Sequence, residues 1–250
     1  MVNILLSGCS GTMGKVLITE CTKLENIKIV AGFDKQYSSD FSFPVYSNLE
    51  DIKEKIDVII DFSNPVVLDS LLKFCVKSKL PLVLCTTGFS DSQIKEIKSA
   101  STETPIFFSA NMSLGINLIK NLLIKAATVL YDGFDIEIIE KHHNKKVDSP
   151  SGTAYLLGDA IINSIPEENE YVHGREGYHK REKKEIGMHS LRGGSIVGEH
   201  EVIFAGNDEI VSIKHEALSK NIFAMGAFKA AKYLVDQEAG LYDMDDMLDL

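Results

Sequence analysis

From its first residue to Ser109 the chain is a succession of short apolar runs separated by helical patterns, and this most restricts its fold. The runs are residues 2–6, 27–33, 57–62, 81–85 and 105–109. Strands that are apolar on both faces belong in a parallel sheet covered by helices on each side. Residues 13 to about 24, 65–77 and 91–99 carry the helical spacing between them. The expectation is an open, doubly wound α/β sheet.

After Asn111 the texture changes. A long helix pattern covers residues 114–130, residues 134–140 alternate like a half-buried strand, and a further helix runs from 151 to about 165. Residues 179–185 form a charged loop. Runs at 200–205 and 209–217 meet at Gly206-Asn207-Asp208, a hairpin signal. The last helix pattern, 222–237, is expected to return to the first domain. The predicted division is therefore 1–112 with 221–250, interrupted by an inserted α+β domain over 113–220.

Composition excludes several classes. With 26 Lys+Arg against 36 Asp+Glu the net charge is −10, which a nucleic-acid backbone would repel. Hydrophobic residues at 44% argue against disorder. No apolar stretch is long enough to span a membrane, and the N-terminus lacks the basic region of a signal peptide. Cys9, Cys21, Cys75 and Cys85 form no C-x-x-C pair and read as free thiols, so a cytoplasmic location is expected.

Gly8-Cys9-Ser10-Gly11-Thr12-Met13-Gly14 lies between the first strand and the first helix. Glycines there permit a tight turn and let backbone amides approach a pyrophosphate at the helix N-terminus. The spacing is G-x-x-G-x-x-G rather than G-x-G-x-x-G. Asp34 ends the second strand about 20 residues beyond Gly14, where a carboxylate meets the adenosine ribose. Lys35 beside it could pair with a 2′-phosphate. Cys85-Thr86-Thr87-Gly88 and Ser109-Ala110-Asn111 fall at later strand ends, which line the ligand crevice of such sheets.

Residues 140–154, EKHHNKKVDSPSGTA, carry the chemistry. Two histidines and several lysines follow a strand, and Pro-Ser-Gly-Thr then opens a helix whose free amides and hydroxyls form an anion site. The substrate is expected to be a small carboxylate or phosphate. His189, His200 and His215 lie in the same half, but no His-x-x-x-His pair supports a metal, and none is expected.

The segment EIIEKHHNKKVDSPSGTA resembles the signature of the 4-hydroxy-tetrahydrodipicolinate reductases, formerly dihydrodipicolinate reductases, of lysine and diaminopimelate synthesis. GCSGTMG, DFSNP, CTTGF, SANMSLGIN, HGREG, IGMHSLRGGSIVGEHEVIF and GLYDMDDMLDL follow in family order. The resemblance implies a Rossmann-like dinucleotide-binding domain with an inserted α+β domain that binds substrate and builds a homotetramer. It implies NADH or NADPH on Gly8, Cys9, Ser10, Gly11, Thr12 and Met13, with Asp34 and Lys35 at the ribose. Cys85, Thr86 and Thr87, then Ser109, Ala110, Asn111 and Met112, would flank the nicotinamide. His142 matches the family's acid/base histidine and Lys146 its proton donor. His143, Lys146, Ser151, Gly152 and Thr153 would hold a small dicarboxylate. Cys9 and Cys85 depart from the small residues expected there, and Asp34-Lys35 replaces a commoner acidic-Arg pair, which leaves the cofactor preference open. Two other readings stand beside this one: a nicotinamide oxidoreductase of another small acid, and a non-catalytic dinucleotide sensor using Cys9 or Cys85.

Overall fold

A computed structural model describes residues 1–35 and 40–250. The chain divides into two compact units, Met1–Ser113 with Lys220–Leu250, and Leu114–Ser219.

The first unit is built on a parallel seven-stranded sheet. Its strands are β1 (Val2–Ser7), β2 (Ile27–Phe33), β3 (Val45–Tyr46), β4 (Val58–Asp61), β5 (Leu82–Leu84), β6 (Pro105–Phe108) and β12 (Gly240–Tyr242), in the order β12-β6-β5-β4-β1-β2-β3. Leu5, Ile59, Leu82, Leu84 and Ile106 pack with Leu68, Leu71 and Leu72 of α2 (Leu68–Ser78) and Ile97 of α3 (Asp91–Ala100). Each such aliphatic side chain contributes about 1.5–3 kcal/mol when fully buried. α6 (Asn221–Leu234) lies against β4, β5, β6 and α1 (Thr12–Cys21). Its buried residues include Ala224, Gly226, Ala227, Ala230 and Ala231, small enough to bring helix and sheet close together. At Gly226 a Cβ would stand 1.7 Å from the Met112 carbonyl oxygen, so only glycine lets the helix touch that turn.

The second unit is a five-stranded mixed sheet, ordered β11-β10-β7-β9-β8. β7 (Asp135–His142) runs antiparallel to β10 (Gly198–Ala205), and β10 antiparallel to β11 (Ile210–Ala217), as the hairpin signal predicts. On its other side β7 runs parallel to β9 (Glu185–Arg192), which pairs with β8 (Glu170–His173). Ile136, Ile138, Ile186, Met188, Val202 and Phe204 fill one face. Against them pack Ile119 and Leu123 of α4 (Leu114–Leu130) and Leu157 and Ile161 of α5 (Gly152–Ile162). By register the opposite face carries Ile139, Leu191 and Ile203 among charged neighbours such as Glu137, Glu201 and Lys214.

Several elements differ from the sequence expectation. β3, β8, β9, β12 and a short terminal helix, α7 (Met244–Leu248), were not anticipated, and α5 ends at Ile162 rather than near residue 165. The charged loop is pinned rather than loose. Arg181 bonds Asp135 at 2.8 Å and Glu137 at 3.1 Å, Lys183 bonds the Phe134 carbonyl at 2.8 Å, and Glu185 already belongs to β9. Among the described residues no helix is long and apolar enough to cross a membrane.

Candidate active site

The inward residues of β7 run Ile136, Ile138, Glu140, His142, so one strand face passes directly from apolar core to polar site. Glu140 is fully buried, and an ionised carboxylate there needs donors. Arg192 of neighbouring β9 supplies a bidentate pair, at 2.7 Å to Oε2 and 2.6 Å to Oε1. The Ser151 amide donates to Oε1 at 3.1 Å, and Nδ1 of His142 lies 2.6 Å from Oε2. Burial pushes Glu140 up, but hydrogen bonds from Arg192, Ser190 and His142 outweigh it and hold the group at about 2.

Because Glu140 is ionised at neutral pH, Nδ1 of His142 must carry the proton. Nε2 is left as the atom that exchanges protons. A Cβ at Gly198 would stand 3.1 Å from that nitrogen, so glycine keeps the approach open. Burial lowers the His142 pKa below the ordinary histidine value and the charges of Lys146 and Arg192 add to this, while Glu140 opposes them. The ring is therefore neutral near pH 7, with a lone pair on Nε2.

The same carboxylate ties His142 to the start of α5. Ser151 is the N-cap of that helix, its Oγ accepting the Ala154 amide at 3.1 Å, an arrangement worth about 1 kcal/mol. Oγ also lies 2.8 Å from Nε2 of His200, whose ring stands edge-on to His142 with centroids 5.1 Å apart. No acidic residue occupies the first turn, Gly152 is exposed and Thr153 is half-buried, which suits an anion. His143 is half-buried, and its Nδ1 is buried with no hydrogen-bond partner among the described residues. Lys146 is ion-paired with Asp148 at 2.8 Å. His142, His143, Lys146, Ser151, Gly152 and Thr153 thus all lie between the end of β7 and the start of α5. His200 and His215 pair across β10 and β11 beside them, while His189 is bonded to Glu137 at 2.7 Å.

In the first unit the glycine loop joins β1 to α1. Gly8 has φ +77°, and a Cβ there would meet the Phe62 carbonyl oxygen at 2.3 Å. A Cβ at Gly14 would meet the Gly8 carbonyl oxygen at 2.4 Å. α1 starts after Gly11 with no side-chain cap. Ser10 Oγ is buried with no hydrogen-bond partner among the described residues. Beside the loop, a cleft of about 250 Å³ is lined by Gly8, Phe33, Asp34, Lys35, Phe62 and Val66, among others. The Asp34 carboxylate is held at the loop by the Ser10 amide, at 3.0 Å. An uncapped helix start, a partnerless hydroxyl and an apolar cleft with a carboxylate at its edge fit a dinucleotide.

Thr12 and Thr87 are exposed and Met13 is half-buried. Cys9 is fully buried, and Cys85 nearly so. Burial, with Asp34 adding, pushes the Cys9 thiol up to about 11, and burial with Asp61 pushes Cys85 up as well. Neither is a thiolate at neutral pH, which weakens the redox-sensor reading. At the end of β6, Ser109 Oγ donates to the Asn111 carbonyl at 2.9 Å, and Asn111 Oδ1 accepts the Ser113 amide at 2.8 Å. Ala110 is exposed, whereas Met112 is buried against Gly226. Four polar residues of these sites carried no assigned role in the sequence reading: Glu140, Arg192, His200 and Asp61. Glu140 stands at a fixed position of the signature, a signal that could have found it; Arg192 offers none until β9 pairs with β7.

The N- and C-terminal family models described as dihydrodipicolinate reductase match residues 2–112 and 115–248. The chain is 53% identical over 249 residues to the 4-hydroxy-tetrahydrodipicolinate reductase of Clostridium tetani, covering 99% of this chain and 97% of that one. It is 50% identical to that of Caldanaerobacter subterraneus, covering 99% and 98%. Among solved structures it is similar to a dipicolinate-bound dihydrodipicolinate reductase from Paenisporosarcina sp. TG-14, with TM-score 0.82, 23% identity and 98% of each chain covered. A myo-inositol dehydrogenase from Corynebacterium glutamicum shares the fold at TM-score 0.61 and 13% identity, covering 100% of this chain and 93% of that one.

The buried histidines give stability a defined pH dependence. His200 is pushed down to about 4, by burial first and by the neighbouring His142 next. Its folded value lies below its unfolded one, so its stabilising contribution is complete above about pH 6.5 and is lost as pH falls toward about 4. One such group gives a slope of up to about 1.4 kcal/mol per pH unit. His142 and His215 are also lowered, burial being the first cause in each, and contribute with the same sign. Equilibrium urea unfolding between pH 7 and pH 4 will show the wild-type midpoint falling, and His200→Gln will flatten that fall.

Proposed function

The chain belongs to the dihydrodipicolinate reductase family, and from that premise we propose how its two units carry out the reaction. It is an oxidoreductase of lysine biosynthesis that reduces 4-hydroxy-tetrahydrodipicolinate, by way of dihydrodipicolinate, with a nicotinamide cofactor. The unit Met1–Ser113 with Lys220–Leu250 binds the dinucleotide, and the unit Leu114–Ser219 binds the dicarboxylate.

The observation that carries this reading is the buried Arg192–Glu140–His142 array joined through Ser151 to the start of α5. A reduced nicotinamide held at the glycine loop would supply a hydride to C4 of the substrate. The ring then carries enamine electron density that must be protonated. Lys146 donates that proton. His142, neutral at Nε2 and fixed at Nδ1, serves as the acid/base partner. The substrate carboxylates are held by the amides and hydroxyls of Ser151, Gly152 and Thr153, with His143 and Lys146 adding donors. Thr87, Ser109 and Ala110 would flank the nicotinamide, with Cys9, Cys85, Thr86, Asn111 and Met112 contributing backbone only, since their side chains are buried. The free, buried cysteines are in keeping with a reducing, cytoplasmic setting.

His142→Gln and Lys146→Ala will each lower kcat by about 10²–10⁴-fold with folding intact, the range expected when general acid–base catalysis is lost. Steady-state NADH oxidation coupled to dihydrodipicolinate synthase reads this directly, and near-wild-type turnover in both variants would refute the assigned roles.

For the cofactor, Asp34 favours NADH through the ribose hydroxyls, and exposed Lys35 admits the 2′-phosphate of NADPH. Both cofactors will bind, and Asp34→Ser will move the ratio of dissociation constants toward NADPH by about tenfold, or 1.4 kcal/mol. Fluorescence titration of both cofactors with both proteins measures it; an unchanged ratio removes Asp34 from the specificity.

The sheet face that carries Ile139, Ile203 and the half-exposed Leu191 supports assembly through this surface, as a homotetramer. Sedimentation equilibrium will return four times the monomer mass, and Ile203→Lys will lower it; a monomeric wild type rules the assembly out.

A further inference from the structure

At the carboxyl edge of the parallel sheet three backbone segments converge on one buried side chain. Asp61, the last residue of β4, is 1% exposed. Its Oδ1 accepts the Ser7 hydroxyl at 2.6 Å and the Ser63 hydroxyl at 2.5 Å, and its Oδ2 accepts the Thr86 hydroxyl at 2.6 Å. Thr86 Oγ1 in turn accepts the Ser63 amide at 2.8 Å, which leaves its one proton for the carboxylate. Ser7 ends β1, Ser63 follows β4 and Thr86 follows β5.

Each tethered residue adjoins the cofactor cradle. Ser7 precedes Gly8, whose missing Cβ lets the loop rest on the Phe62 carbonyl. Ser7, Gly8, Phe62 and Ser63 line the cleft that Asp34 and Lys35 edge. Thr86 precedes the exposed Thr87. The donors on Asp61 are neutral hydroxyls, and among the described residues no cation offsets its desolvation. A buried carboxylate of this kind is a poor stabiliser, and an apolar side chain of similar volume would fill the space at lower cost. What it does supply is a fixed distance between three loops that otherwise end separately.

We propose that Asp61 is a positioning residue for the dinucleotide, setting the glycine loop, Ser63 and the Thr86-Thr87 segment in one geometry without touching the ligand. The inference rests on the dinucleotide reading of this cradle. It also gives cofactor binding a pH dependence. Burial raises Asp61 above the ordinary carboxylate range, against the hydroxyl bonds that lower it. Its titratable neighbours are Cys75 of α2 and Cys85 after β5, both thiols pushed upward by burial and by Asp61 itself. Neither changes charge in acid. A protonated Asp61 no longer carries the charge that strengthens the three hydroxyl bonds, so the tethers weaken and the loops are held less firmly.

The test is NADH binding by fluorescence titration, with urea unfolding as the control for folding. Wild type, Asp61→Asn and Ser7→Ala are compared between pH 7.5 and 5.5. Asp61→Asn and Ser7→Ala will each raise Kd about tenfold, the size expected for breaking a buried hydrogen bond to a charged group at the cradle. Wild-type Kd will rise on acidification, and that rise will be absent in Asp61→Asn. A folded Asp61→Asn that binds NADH as wild type does, with the same pH dependence, overturns the proposal. Should Asp61→Asn fail to fold, Ser7→Ala decides alone, and normal binding by it is equally fatal. A wild type that binds neither NADH nor NADPH overturns the dinucleotide reading itself, a result distinct from normal wild-type binding with unaffected variants.

Discussion

A carboxylate with no exposure to water stays ionised only if donors are aimed at it, and much of the second unit is arranged around that requirement at Glu140. Arg192 reaches it from β9, His142 from the same strand and Ser151 from the helix start. Each partner acquires its role through the bond. His142 is restricted to a single proton-exchanging nitrogen, and α5 is docked so that its first turn follows that histidine. Removing Arg192 would leave the charge buried and alone, a loss of about 3–5 kcal/mol. The arrangement is therefore all-or-none, which suits a site whose groups must keep their geometry to within a fraction of an ångström.

The first unit meets the same problem at Asp61 with different chemistry, and the two carboxylates move in opposite directions. Arg192 and the other donors outweigh desolvation at Glu140, which is held at about 2. At Asp61 the hydroxyls of Ser7, Ser63 and Thr86 do not outweigh it, and the group is raised. One carboxylate is locked as an anion throughout the working range. The other can be neutralised by acid. Placed at the ends of strands, where the apolar core stops, both convert the rigidity of a sheet into the placement of loops.

How far the sequence revealed this follows from how local each feature is. The parallel sheet was legible because β1, β4, β5 and β6 are apolar runs, and the hairpin because alternation flanks Gly206-Asn207-Asp208. β9 was not, since EIGMHSLR is buried over its first half and half-exposed or exposed over its second. It also carries Gly187, where a Cβ would strike the Glu137 carboxylate at 1.7 Å. Glycine there accommodates a partner's side chain, a reason invisible along the chain. β3 and β12 span only two and three residues, too few for any period to register. That His142, Lys146 and the Ser-Gly-Thr helix start lie together was legible because they share one contiguous segment. Arg192 was not, because its partner Glu140 lies on a different strand.

The register of β7 is what converts those separate facts into a site. Pairing sets Glu140 opposite Ser190 and His142 opposite Arg192 on one side, and Glu140 opposite His200 on the other. A slip of one residue would turn Glu140 and His142 to the far face and Lys141 inward. That slip would also expel Ile136 and Ile138 from the core they share with Leu157 and Ile161. The apolar half of the strand thus fixes the polar half: burial of two isoleucines, at about 1.5–3 kcal/mol each, holds Glu140 and His142 at the strand's end in register. Precision at Nε2 of His142 is in this sense a property of the core beneath it, with Glu140 as the point where packing hands over to electrostatics.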